Sequence, residues 1–358
     1  MRKPRRFSPL ARVLVSAMVA AVLAPTTSLG SSGDEPPPFH VHSFDLVDLA
    51  FDELPWTDEI PREAAPPKPT DGRGVPLFRW KLDGELYYRP GGLAINGMKR
   101  IDAYRDTGER AQLEQALIQA RALRRISIKE DDAWWLPFWF DYPPEGLKAP
   151  WFNAMAQGLA LSFFVRLHRV TGDEAWREAA DQTYESFRRL GSKRSARGRP
   201  WVSFVASGGY LWLEHYPNRS PDHVLNAHLH AVIGLYEYWQ PTRDEGARDL
   251  LEGSLTTIRD QGYRYRKEGH VSRYGLRTRS NLLKYHRVHV WQLRLLGRMT
   301  GDPVFTDLGD QMAADRKPTG YVPGRPAVRD RFRPFASVEQ ARRLRVYPRV
   351  KAELDHAA

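Results

Sequence analysis

The stretch WLEHYP (212–217) sets Glu214, His215 and Tyr216 side by side and then stops the chain with Pro217. A second group lies downstream: Tyr274 and Arg277 in YGLR, then Tyr285, His286 and His289 in KYHRVHVWQL. Histidine titrates near neutrality and moves protons there. Arginine presents a planar fork that grips carboxylates. Proton transfer beside an anion is the chemistry these types can perform. His286 and His289 stand at i, i+3, which invites a zinc reading, but no carboxylate sits at ligand spacing beside them. No metal is expected, and no cofactor. The chain has no cysteine, which removes thiol catalysis and disulfides. Neither a glycine-rich phosphate loop nor a serine elbow is present.

These residues need elements to hold them, and a repeat supplies the outline. AYRDTGERAQLE, HRVTGDEAWREA, WQPTRDEGARDL and GRMTGDPVFTDL share a punctuation at Thr107, Thr171, Thr242 and Thr300, spaced by 64, 71 and 58 residues. Each follows an apolar segment of helical period and precedes a more charged one. Gly172 and Gly301 suit a left-handed helix end, Asp173 and Asp302 the N-cap of the next helix, and Pro303 its first position. The unit is therefore a hairpin of an apolar inner helix and an outer helix with a polar face. Four such pairs around one axis predict an all-α-dominated α/α toroid, with a period too long for a solenoid of short repeats. GRPWVSFVASGGYLWLEHYP and GYRYRKEGHVSRYGLRTRSN, between the later pairs, read as strands or hairpins at the cleft end. WLEHYP then ends a strand just before an inner helix.

The flanks read differently. RKPRR followed by the 12-residue apolar run VLVSAMVAAVLA (13–24) predicts a signal peptide or N-terminal anchor over 1–32, the run being short for a membrane span. A secreted or extracytoplasmic protein is expected, with a membrane tether as the alternative. Residues 33–76 hold nine prolines and read as an extended, poorly packed arm, in which HSFDLVDLAFDELPW docks as one short amphipathic element. The toroid is expected over 77–315 and a basic tail over 316–358. Net charge is +11, and residues 1–32 contribute five bases and no acid, leaving +6. Such a surface favours polyanions, and for a secreted protein an acidic polysaccharide rather than nucleic acid. A homodimer is left open.

Taken in order, APWFNAMAQGLALSFFVRLHRVTGDEAW, YLWLEHYP, HVLNAHLHAVIGLYEYW, YGLR and YHRVHVWQLRLL resemble successive signatures of the D-glucuronyl C5-epimerase C-terminal domain family. GELYYRPGGLAINGMKRIDAYRDTGE, which contains Tyr88 and Arg89, is similar to the start of that domain. The resemblance implies epimerisation of glucuronate to iduronate in an acidic polysaccharide, by removal and return of the proton at carbon 5. That proton lies alpha to a carboxylate, so a cation and hydrogen-bond donors must stabilise the enediolate-like transition state. Two groups on opposite ring faces must exchange the proton.

The resemblance places Tyr216, Tyr274, Tyr285 and Arg277 on the family's site positions. It implies Arg277, Tyr216 and Tyr274 at the uronate carboxylate, and Tyr285 on one side of the exchange. Two departures stand out: His215 replaces a glutamate, and Gly275 an acid. A Tyr/His pair also resembles the equipment of polyuronate lyases, and loss of the base leaves a polysaccharide-binding or assembly protein as a third reading. Glu214, Asn153, Gln157, Asn226, His230, Trp212, Tyr88, Arg89 and His286 complete the candidate substrate-binding set. For Asn153 and Gln157 closing the helix start is the alternative, and for Asn226 and His230 packing inside the ring.

Overall fold

A computed structural model of the protein describes residues 37–54, 69–191 and 199–317. The expected leader, residues 33–36 and 55–68 of the proline-rich arm and the tail beyond 317 fall outside the described residues. Among those described, no helix is long and apolar enough to cross a membrane.

Eight helices form four hairpins: α1 (Pro90–Thr107) with α2 (Arg110–Ile126), α3 (Ala154–Thr171) with α4 (Glu174–Arg188), α5 (Leu225–Thr242) with α6 (Glu245–Gln261), and α7 (Leu283–Thr300) with α8 (Pro303–Asp315). Every inner helix ends on its repeat threonine. Each threonine hydroxyl donates to the carbonyl four residues back, at 2.7–2.8 Å. It also accepts the N–H two residues on, at 3.1–3.3 Å. The residue between is left-handed: Gly108, Gly172, Arg243 and Gly301. Asp173, Asp244 and Asp302 then cap the outer helices with their side chains, satisfying N–H groups that the first turn leaves open. The expected repeat is a set of four equivalent hinges.

α1 packs on α3, α3 on α5 and α5 on α7, which makes the odd helices the inner ring of an α/α toroid. α3 and α5 approach closely because Gly158 and Gly234 face each other. A Cβ on Gly158 would stand 2.6 Å from the Ala231 backbone, and one on Gly234 2.4 Å from the Gly158 carbonyl. Three charges meet inside the ring. Arg166 of α3, fully buried, grips Glu237 of α5 through Nε and Nη2 at 2.7 and 2.8 Å, with Asp102 of α1 at 3.9 Å. Burial lifts the Asp102 carboxyl to about 6 against the pull of Arg166.

The stretch expected to dock, HSFDLVDLAFDELPW, packs against the ring through its described residues 43–54, but without regular structure: apart from a 3-10 turn at Phe51–Glu53, residues 37–54 are irregular. Phe39, Phe44, Leu49 and Leu54 are buried in the main core. The backbone of this strap is tied to Thr256, Glu252 and Tyr236 and to Met299. Phe51 lies under Arg105, Arg166 and Arg169, at 3.9, 5.4 and 5.0 Å from its centroid. The strap thus crosses the end of the ring where the inner helices finish.

The opposite end carries the strands. β1 (Phe78–Arg79) pairs with β2 (Leu86–Tyr87), and β3 (Ile128–Glu130) with β4 (Ala133–Trp135). β5 (Leu190–Gly191), β6 (Ser203–Val205) and β7 (Leu211–Leu213) form a third sheet, with β6 and β7 the expected antiparallel hairpin. The second expected hairpin is absent: residues 262–265 form a 3-10 turn, and the rest is loop with one bridge between Arg273 and Asn281. The loop's glycines and arginines pair with helix ends and carboxylates rather than across a ladder.

The buried charges yield a test of the ring. Glu237→Met should cost about 3–5 kcal/mol, because it strands a buried guanidinium. Arg166→Met added to it should recover part of that loss: the bare guanidinium is gone, and Asp102, the carboxylate that remains, goes neutral by taking a proton once Arg166 no longer holds it down. Urea denaturation of the single and double variants decides this; a double variant less stable than the single would refute it.

Candidate active site

WLEHYP leaves β7 and runs into the loop before α5, as expected. Three backbone bonds converge there: Ala154 N–H to the Glu214 carbonyl, Leu225 N–H to the Tyr274 carbonyl, and Leu276 N–H to the Asp222 carbonyl. The starts of α3 and α5 and the YGLR loop therefore share one rim.

The structure brings His215, Tyr216, Tyr274 and Tyr285 together. His215 lies 4.4 Å from the Tyr216 ring, and Tyr274 lies 4.7 Å from Tyr285. The Tyr216 hydroxyl is hydrogen-bonded with Tyr274 and Tyr142, and Tyr142 stacks on Tyr216 at 5.3 Å. Burial pushes the phenols of Tyr216 and Tyr274 well above the ordinary tyrosine range. Both remain neutral O–H donors across the physiological range, suited to binding an anion rather than to taking a proton. Arg277 is exposed at the same rim, and its Nη2 donates to Glu145 Oε2. Asn218 holds the same carboxylate at 3.1 Å. Burial raises the Glu145 carboxyl, while Arg277 opposes that rise.

His215 is half-buried, and burial drives its pKa down to about 3, with the Arg89 charge adding to the effect. Its Nδ1 is enclosed and has no hydrogen-bond partner among the described residues. It is a neutral imidazole with one nitrogen unspent. Beneath it, His230 and Asn226 of α5 meet His289 and Gln292 of α7. Gln292 Nε2 reaches the Asn226 carbonyl at 3.1 Å and His230 Nδ1 at 3.0 Å. Asn226 Oδ1, Gln292 Oε1 and His289 Nε2 lack partners among the described residues. Asn226 and His230 are thus buried on the inner side of the ring, below the tyrosines.

Several sequence candidates have other duties. Asn153 caps α3, its Oδ1 accepting from Ala156 N–H at 2.7 Å. Gln157 is fully buried and bonded to Leu136, Trp134 and Ser186. Glu214 is fully buried against His223, so it is not a substrate-facing carboxylate. Trp212 packs in the core, stacked on His223 at 4.3 Å. Tyr88 donates to Asp71 at 2.7 Å. Arg89 precedes α1 and approaches the Phe78 ring at 5.2 Å. His286 accepts the Ser272 N–H at Nδ1, so its Nε2–H donates to the Arg316 carbonyl. For Gln157, Glu214, Tyr88 and His286 a partner distant in sequence consumes the polar group, whereas Asn153 is spent locally on its own helix start. Among the described residues no cluster of histidine and carboxylate can hold a metal ion.

Sequence reasoning missed Tyr142, Glu145, Asn218, Asp222 and His223. FDYPPEG, where two prolines set a turn just before Glu145, carried the one signal available. His223 is left-handed at φ 52°, which no spacing rule reveals.

The fold and site define an α/α toroid whose tyrosines, histidine and arginine gather at the N-terminal ends of its inner helices. Residues 130–313, about half the chain and nearly all of this site, match the D-glucuronyl C5-epimerase C-terminus family. The chain belongs to that family. A D-glucuronyl C5-epimerase of Caenorhabditis elegans is 28% identical over 180 residues, which is 45% of this chain and 28% of that protein. An uncharacterized protein of Methanocaldococcus jannaschii is 24% identical over 166 residues, 46% of this chain and 53% of its own. The chain therefore spans well under two thirds of either relative. Among solved structures, cellobiose 2-epimerase from Bacillus thermoamylovorans superposes with a TM-score of 0.45 at 15% identity, covering 65% of this chain and 62% of that one. Unsaturated glucuronyl hydrolase from Streptococcus agalactiae gives 0.44 at 13%, covering 62% and 57%.

The buried histidines predict acid lability. Burial lowers His215, His230 and His289 to about 3 and His228 to about 4. Above pH about 6.5, the unfolded value, both states are neutral. As pH falls below it the unfolded chain takes protons that the folded chain refuses, so stability is lost toward about pH 4. The melting temperature should drop across that window. Proton uptake on unfolding, measured by calorimetry in two buffers, should approach about three near pH 4.5, the uptake by the four histidines being offset by the proton that Asp102 releases. A constant melting temperature would contradict buried neutral rings.

Proposed function

We propose that the protein epimerises D-glucuronate to L-iduronate within an acidic polysaccharide, as a carbohydrate isomerase acting at carbon 5. The observation that carries this reading is the contact of His215 with Tyr216, and of Tyr274 with Tyr285, beside the Arg277 cation. The uronate carboxylate exchanges with Glu145 on Arg277 and receives the O–H groups of Tyr216 and Tyr274. As the carbon 5 proton leaves, charge builds on that carboxylate, where these donors are already aimed. His215 and Tyr285 serve opposite faces of the ring. A base with a pKa of about 3 is weak in the empty site, but an arriving anion favours the imidazolium and strengthens it. The unpartnered atoms of Asn226, His289 and Gln292 below His215 suit water or sugar hydroxyls.

The basic body and the apolar leader support an extracytoplasmic protein meeting an anionic glycan. The Tyr/His pair also supports a lyase, in which loss of the same proton is followed by cleavage at carbon 4. NMR of glucuronate-containing polymers incubated in deuterated water separates the readings. Deuterium at carbon 5 with iduronate formation is the expected result; an unsaturated end marks a lyase, and binding without either marks a scaffold.

Arg277→Lys keeps the charge but loses the fork, and turnover should fall at least about tenfold, two charge-assisted bonds being worth on the order of 1.5–3 kcal/mol. Wild-type turnover by the folded variant would remove Arg277 from the site. His215→Ala and Tyr285→Phe should impair deuterium uptake unequally from the glucuronate and iduronate forms, in opposite senses. Equal effects on both forms would refute the two-face assignment. Glu145→Gln frees Arg277 of its internal counter-ion. Affinity for a glucuronate oligosaccharide should rise about threefold, a pair exposed only on its Arg277 side being worth on the order of 0.5–1 kcal/mol after solvent screening. Weaker binding in titration calorimetry would instead make Glu145 a support for Arg277.

A further inference from the structure

Asp222 is almost fully buried, 2% exposed, at the foot of the YGLR loop. Four bonds run from it to that loop. Oδ1 accepts the Thr278 N–H at 2.7 Å and Oδ2 the Thr278 hydroxyl at 2.8 Å. Its carbonyl accepts Leu276 N–H at 2.8 Å and Arg277 N–H at 3.5 Å. The segment so held begins with Tyr274 and contains Arg277. Tyr274 is itself pinned by Leu225 N–H on its carbonyl and by the Ser280 carbonyl on its N–H.

Gly275 completes the picture. Its φ is not among the left-handed values, so no backbone strain requires glycine. What requires it is space: a Cβ there would lie 2.1 Å from Asp222 Oδ2 and 2.3 Å from Cγ. The carboxylate of Asp222 fills the volume that a side chain at 275 would occupy, where the family resemblance implies an acid. A negative charge therefore occupies, from position 222, the space beside residue 275. Its field is felt at Glu145 and Tyr274, whose proton affinities it raises.

We propose that Asp222 is a positioning carboxylate of this site, replacing a side chain at 275 and fixing the loop that aims Tyr274 and Arg277 at the uronate. This rests on the epimerase reading above for its substrate, but its own geometry stands apart from the reaction. Asp222 touches no substrate atom in this role; it acts through Arg277 and Tyr274.

The test moves the carboxylate back. Asp222→Ala is compared with Asp222→Ala/Gly275→Asp and with Asp222→Ala/Gly275→Asn, which restores shape without charge. Two readouts are used: carbon 5 deuterium uptake by a heparan-type glucuronate polymer, and backbone hydrogen exchange over 274–280 by mass spectrometry. Asp222→Ala should lose at least about tenfold in turnover and speed exchange at Leu276 and Thr278. Aspartate at 275 should restore turnover to within about threefold, while asparagine should restore neither readout. The proposal fails if Asp222→Ala leaves loop exchange unchanged, or if asparagine at 275 rescues as well as aspartate. Should Asp222→Ala not fold, Asp222→Asn keeps the shape, and unchanged turnover and loop exchange in it overturn the proposal equally. A wild-type protein with no carbon 5 exchange would refute the epimerase reading, and the hydrogen-exchange comparison would still decide Asp222.

Discussion

Arg166 carries a permanent charge at the centre of the ring, and three of the four inner helices answer to it. A guanidinium cannot shed its proton, so burial obliges the fold to bring carboxylates to it. Glu237 on α5 grips it with two bonds, and Asp102 on α1 stands at ion-pair distance. Each projects from its helix to the same buried point, so the three helices have one rotation that satisfies all three groups. The same registration points the other ends of α3 and α5 at the rim where Glu214 and Tyr274 receive their first amides. The site inherits its precision from charges at some distance from it.

The fold was legible wherever its signals are local. Threonine, glycine and aspartate act on residues two to four positions away, so the hinge at 171–173 is written where it operates. The apolar period of VLNAHLHAVIGLYEYW is equally local. The docking of the strap was legible in its apolar residues, but not its course: they follow no period and answer to partners on α5, α6 and α7 rather than to each other. The YGLR region was misread as a hairpin because its alternation serves bonds to Asp222, Tyr265 and Ser280.

The site was legible in its aromatic and cationic members and illegible in its carboxylates. Tyr216, Tyr274 and Tyr285 stand in ordered motifs, and the fold brings them into one aromatic cluster. Glu214 sits beside the site in sequence, yet its side chain turns inward to His223. Glu145 reaches Arg277 from 132 positions away. Asn153 and Gln157 share a helical face, as their spacing says, but that face closes a helix start and ties down Trp134 instead of meeting solvent. A polar residue's spacing fixes its direction; only the neighbours decide whether it is spent.

The strap has a consequence for how the chain is assembled. Its residues are made before every hairpin, and its backbone partners lie 187 to 245 positions later, at Tyr236, Glu252, Thr256 and Arg298. A segment emerging from the ribosome finds only the arginines over Phe51 in the first two hairpins, and Phe44 and Leu49 wait for the third and fourth. Local hairpins close early at little entropic cost, and this contact closes late. The strap is the latch of the ring: it seals a toroid that the hairpins must already have built, and its docking reports that synthesis has reached α7.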